Sequence, residues 1–96
     1  MPGGYVWIMT NGPSGTLYIG VTADLVRRVH QHRTGTGSSF CREHKLDRLV
    51  HIEPFDRIDE AIAREKALKA WRRAWKLDLI GRDNPEWRDL CADILA

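Results

Sequence analysis

A phenol, a guanidinium and an imidazole fall within fifteen residues at Tyr18, Arg28 and His32. These are groups that attack a phosphodiester and stabilise the charge that develops on it. One acid, Glu65, lies far downstream. Helical spacing puts it on a stripe otherwise made of Ile58, Ala61, Ile62, Leu68, Trp71 and Trp75. An acid facing a core is costly unless it is paired or coordinates a cation. A salt bridge to Lys69 at i+4, or to Arg72, is the plain explanation. The functional one is a carboxylate aimed into a cleft, whose hard oxygens suit one Mg2+ or Mn2+ with water in the other positions. Arg28 and His32 are i and i+4 on one helix face. That face borders Leu25 and Val29, so both side chains stand at the edge of the core. Taken singly, a surface arginine and a hydrogen-bonded histidine explain them equally well. Tyr18 sits late in a strand-like run, where core packing is the ordinary role, and Gly20 just beyond it marks a close backbone approach or a bulge.

Other chemistries lack their residues. There is no phosphate-binding Gly-x-x-x-x-Gly-Lys-Ser/Thr loop, no His-Glu-x-x-His pair and no serine-hydrolase elbow. Cys41 and Cys91 have no metal-ligand spacing and read as reduced thiols of a cytoplasmic protein. No apolar run approaches the roughly 20 residues of a membrane span, and Met1-Pro2-Gly3-Gly4 does not read as a signal peptide. The net charge of +2 conceals segregation. Arg64, Lys66, Lys69, Arg72, Arg73 and Lys76 face only Glu65 between Ala61 and Leu77, and acids dominate beyond. With Arg27, Arg28 and Arg33 on the first helix, this makes a local basic surface suited to nucleic acid. A merely solvated helix face accounts for the same charges.

Positioning these groups requires a single domain, residues 1–96. Tyr5–Met9 and Thr16–Val21 are strand-like runs around the turn cluster Asn11-Gly12-Pro13-Ser14-Gly15, which reads as a hairpin with a loop longer than two residues. Thr22 offers an N-cap and Asp24 a first-turn acid for a helix reaching about Arg33. Gly35 and Gly37 open a loop, with a short turn near Cys41–His44. Leu49–Glu53 reads as a third strand closed by Pro54. One long helix is predicted over about Asp59–Ile80, capped by Asp56 or Asp59 and ended by Gly81, with a last helix over Glu86–Leu95 packing Trp87, Leu90 and Ile94. The order β-β-α-β-α-α predicts an α+β (mixed α/β) fold, a small three-stranded sheet covered by helices.

Beyond single motifs, the chain resembles the GIY-YIG nuclease superfamily, in particular its small stand-alone bacterial members. The resemblance rests on Gly4-Tyr5-Val6-Trp7-Ile8, Leu17-Tyr18-Ile19-Gly20-Val21-Thr22, Asp24–Val29 with His32, and Leu49–Glu53. It continues through Ala61–Lys66 with Lys69 and Trp71-Arg72-Arg73, and Asn84-Pro85 with Trp87, Asp89 and Leu90. It implies an antiparallel three-stranded sheet flanked by helices and metal-dependent hydrolysis of phosphodiesters, usually in DNA. Tyr18 matches the tyrosine of the second half of the signature, Arg28 its helix arginine, His32 a position held by histidine or tyrosine, and Glu65 its single metal-binding glutamate. One departure stands out. Trp7 occupies the place of the first signature tyrosine, and Tyr5 lies one pleat away on the same strand face.

The resemblance implies an endonuclease in which Glu65 holds one Mg2+ or Mn2+, Tyr18 takes the proton of the attacking water, His32 assists and Arg28 stabilises the transition state. Tyr5, Trp7 and Gly20 support the site, and Arg27, Lys69, Arg72 and Arg73 contact nucleic acid, DNA ahead of RNA. A role in repair or recombination, a cytoplasmic location, no membrane partner and a monomeric or weakly dimeric state complete the expectation. Two rivals stand beside it: a weakened or inactive nucleic-acid-binding module, because an indole lacks the hydroxyl of the tyrosine it replaces, and an adaptor that uses its acidic last helix. Trp7→Tyr separates weak from full activity. A gain in cleavage marks a weakened nuclease, and no gain over an efficient wild type marks the first-strand hydroxyl as dispensable.

Overall fold

The computed structural model describes residues 2–33 and 45–95. The expected loop at Gly35 and Gly37, Cys41 and the turn near Cys41–His44 lie outside them. Three strands, β1 (Gly4–Thr10), β2 (Leu17–Thr22) and β3 (Arg48–Phe55), form an antiparallel sheet in the order β2-β1-β3. Among the described residues four helices flank it: α1 (Leu25–Arg33), α2 (Ile58–Ala70), α3 (Arg73–Asp83) and α4 (Cys91–Leu95). The fold is therefore α+β, a three-stranded antiparallel sheet with helices on both faces. None of the described helices is long and apolar enough to cross a membrane.

Strand alternation builds two cores. Val6, Ile8 and Ile19 point to one face, where Ala61 and Leu68 of α2 and Leu79 and Ile80 of α3 cover them. Trp7, Met9 and Leu49 point to the other, beneath Leu25 and Val29 of α1 and Cys91 of α4. A bulge opposite Ile8 and Met9 inserts Val50 into the ladder, so that Leu49 faces α1 while Val50 joins the opposite core. Gly4 lies so close to α2 that a Cβ there would sit 2.9 Å from Ile58 Cδ1 and 3.1 Å from the Ala61 methyl.

Local signals place the elements. The hairpin loop is longer than two residues, as expected, with Gly15 N donating to the Gly12 carbonyl at 2.9 Å. Asp24 caps α1, its Oδ1 accepting from Arg27 N at 3.1 Å, while Thr22 Oγ1 accepts from Asp24 N. Arg57, rather than Asp56 or Asp59, precedes α2 as its N-cap. Its N–H donates to Glu60 Oε1 at 3.1 Å, and Asp59 and Glu60 place negative charge in the first turn.

The single long helix expected over Asp59–Ile80 is instead two. Trp71 and Arg72 are extended, with ψ of 152° and 147°. Trp71 N closes α2 on the Leu68 carbonyl at 3.1 Å, and Lys76 Nζ of α3 reaches back to the Lys69 carbonyl. The apolar period runs through the break without interruption, so no residue type announces it. Ile58, Ile62 and Trp75 are exposed instead of forming the inner stripe, and the buried residues of α2 are Ala61 and Leu68. Helix α3 continues through Gly81 to Asp83, with Asn84 as its C-cap. The last helix is shorter than expected, because the segment before it is spent on the sheet. Asn84 Nδ2 donates to the carbonyls of Val50 and Arg88, Leu49 N donates to Asp89 Oδ1, and Leu90 N donates to the Leu49 carbonyl. The 84–90 segment thus covers the outer edge of β3.

On the α2–α3 face a chain of charges clamps β3. His51, fully buried, donates from Nε2 to Glu53 Oε2 at 2.8 Å, and its Nδ1 lies 3.8 Å from Asp83 Oδ2. Arg64 of α2 grips Glu53 with two bonds of 2.8 and 3.2 Å, and its guanidinium lies 4.9 Å over the Trp71 ring. Burial pushes the Glu53 carboxyl up, but the hydrogen bonds from His51 and Arg64 outweigh it and hold the group at about 2. A depressed carboxyl stabilises the fold fully above its unfolded value of 4.5 and loses that contribution as pH falls toward 2. Wild type should therefore show a falling melting temperature across that interval, and Glu53→Gln, less stable at neutral pH, should show a shallower acid limb. Parallel acid limbs in calorimetry would count against the clamp.

Candidate active site

Three of the residues singled out by the sequence form one contact chain on the α1 face. Trp7 lies at the centre of the middle strand, paired with Gly20 across the hairpin. Its indole covers that glycine so closely that a Cβ on residue 20 would stand 2.1 Å from Trp7 Cζ2. The same ring stacks on Tyr18 at 5.5 Å between centroids and 27° between planes. Arg28, projected from α1, sets its guanidinium carbon over the indole, 5.5 Å from the ring centre. Tyr5, partly buried, packs against the same cluster.

His32, one turn beyond Arg28, is tied to the backbone ahead of β3, with Nε2 2.5 Å from the Leu46 carbonyl. A carbonyl only accepts, so this contact places the ring proton on Nε2 and leaves Nδ1 as the basic nitrogen. Trp7, Arg28 and His32 also line a cavity of about 10 Å³ between α1 and the sheet. That is room for one water at most, so a substrate has to be met at the surface.

Glu65 comes from the other side, on α2. Its side chain is 16% exposed and lies 3.7 Å from Lys69 Nζ, the i+4 pair foreseen as its simplest partner. Its direction follows from its neighbours. At about 100° per residue, Arg64 and Glu65 diverge by about 50° to either side of the line through Ala61 and Leu68. Arg64 is fixed toward β3 by Glu53. Glu65 therefore leans the opposite way, toward β2, the edge strand that carries Tyr18. Arg64 and Glu53 did not stand out in the sequence as contributors to the site. The available signal was an acid on the inward face of β3 and a base immediately before the key glutamate.

The expected nucleic-acid contacts separate. Arg27 is exposed on α1. Arg72 is exposed and lies 5.4 Å over the exposed ring of Trp75. Lys69 faces Glu65, and Arg73 donates to the Ser14 and Gly15 carbonyls at 2.6 and 2.5 Å, which ties α3 to the hairpin tip.

Among the described residues no cluster of three or more His, Cys, Asp or Glu side chains is placed to hold a metal. The lone, partly sheltered carboxylate of Glu65 fits an ion that keeps most of its water, as Mg2+ does, and not one that needs a protein cage.

The family model of the GIY-YIG catalytic domain matches residues 3–78, and the chain belongs to this nuclease family. Its relatives include a UPF0213 protein of Haloquadratum walsbyi, 37% identical over 78% of this chain and 83% of the relative. A UPF0213 protein of Syntrophus aciditrophicus is 35% identical over 85% and 93%, and one of Staphylococcus saprophyticus 34% over 79% and 92%. No solved structure shows a significant match to the chain.

Gly20→Ala should cost about 1–3 kcal/mol, the usual penalty for overpacking, because the new methyl displaces the Trp7 indole. A urea midpoint equal to that of wild type would show that the indole has room to move.

Proposed function

We propose that this protein is a metal-dependent endonuclease that hydrolyses phosphodiester bonds in nucleic acid, DNA ahead of RNA, at the β2 side of the sheet. The reading is supported by one arrangement: Tyr18 and Arg28 pack on Trp7 on the α1 face of the sheet, and Glu65, on the helix of the other face, leans toward the same strand, β2. Glu65 would hold one divalent cation, Mg2+ or Mn2+, which when bound neutralises charge on the phosphate and the leaving oxygen. The chain's own groups supply the rest. Tyr18 takes a proton from the attacking water as its own phenolic proton passes to Nδ1 of His32. Arg28, held over the indole, stabilises the additional negative charge of the transition state. Arg27, Lys69 and the exposed Arg72–Trp75 pair extend the site with cations and an aromatic face suited to a phosphate backbone and its bases. We assign the protein to the cytoplasm, acting as a monomer or weak homodimer, with repair or recombination as the setting for its cleavage.

The test is incubation with labelled duplex, branched and single-stranded DNA and RNA, with Mg2+, with Mn2+ and with excess chelator. Cleavage is expected only with metal. Glu65→Gln, which keeps shape and removes charge, should abolish it, and Arg28→Ala should lower kcat about 100- to 1,000-fold, as loss of one charge-stabilising donor does elsewhere. Undiminished cutting by Glu65→Gln, or cutting in chelator, removes the mechanism. Steeply salt-dependent binding with no cleavage of any substrate replaces the enzyme with a binding module.

A further inference from the structure

The indole N–H of Trp7 is fully buried and has no hydrogen-bond partner among the described residues. A buried orphan donor of this kind costs stability, and its retention needs a reason. Among the described residues hydrogen bonding does not supply one. The ring does. It covers Gly20, the one residue type that leaves space for it, and touches both Tyr18 and Arg28. Neither a phenylalanine nor a tyrosine matches its area over both neighbours.

We propose that Trp7 is a positioning residue: its indole acts as a rigid plate that fixes the Arg28 guanidinium and the Tyr18 ring relative to each other, and residue 7 moves no proton. The assignment rests on the nuclease reading for its catalytic meaning, though the plate itself does not. It follows that a hydroxyl at position 7 adds nothing to the reaction, and that loss of the flat surface removes alignment rather than chemistry.

The test uses Trp7→Phe, Trp7→Tyr and Trp7→Leu in the full chain, with two kinds of measurement. By NMR, the Arg28 δ-methylene protons of wild type should be displaced upfield by the ring current of the indole. The displacement should shrink in Trp7→Phe and Trp7→Tyr and vanish in Trp7→Leu. This readout needs no turnover, so it judges the plate even if wild type cuts nothing and the nuclease reading falls. In cleavage assays Trp7→Leu should lose about 100-fold in kcat, the scale of a misplacement near 1 Å, with KM little changed. Trp7→Phe should lose less, and Trp7→Tyr should not exceed wild type. The limbs of the pH–rate profile should stay in place in all three. Arg28 protons at ordinary shifts in wild type would overturn the assignment. So would kcat in Trp7→Leu equal to wild type, or a gain in Trp7→Tyr with a new limb in its pH profile. Should Trp7→Leu not fold, the wild-type shifts and the Phe and Tyr variants decide alone.

Discussion

Everything in this molecule is referred to its middle strand. β1 is hydrogen-bonded on both sides and buried on both faces, so its alternate residues seed two separate cores. Val6 and Ile8 anchor α2 and α3, and Trp7 and Met9 anchor α1 and α4. A one-residue slip of β1 would exchange these sets and present an indole to the closely packed side, where a Cβ on Gly4 already has no room beside Ile58. The register of the middle strand therefore decides which helix meets which face, and with it where Arg28 and Glu65 stand.

Much of this was legible in the sequence. The hairpin strands lie within a residue of the expected runs and α1 is capped two residues beyond the expected Thr22, whereas β3 is not closed by Pro54 but pairs through it to Phe55. The strand-like alternation also put Trp7 and Tyr5 on one face, where they are found, and the register of the hairpin brings Tyr18 to the same face. The division of the long helix was not legible, because Trp71, Arg72 and Arg73 contain no glycine or proline. The break is held by contacts distant in sequence, such as that of Arg73 with the hairpin tip. The extent of the last helix was hidden for a similar reason. Asn84 and Asp89 are committed to β3, a demand that no local propensity expresses.

The candidate site shows the same division. Residue types and spacing pointed to Tyr18, Arg28, His32 and Glu65. What spacing could not give was the rotation of α2 about its own axis. Glu65 sits at the margin of a stripe only two buried residues wide, and a small turn of the helix would send it to solvent or under the sheet. The ion pair of Arg64 with Glu53 removes that freedom. A contact on the β3 side of the molecule thereby sets the direction of a side chain on the β2 side.

This coupling bears on how the chain can change length. Between Glu53 and Arg64 the connection includes the exposed residues 56 and 57, ahead of α2. An insertion there changes the path by which the chain enters the helix but leaves Arg64 and Glu65 adjacent, so the helix can still seat itself through Glu53. An insertion between Arg64 and Glu65 rotates everything downstream by about 100°, which carries Leu68 out of line with Ala61 and turns Glu65 away from the sheet. The short connector is open to insertions and deletions, whereas the adjacency of a base and an acid inside α2 is a fixed unit of spacing.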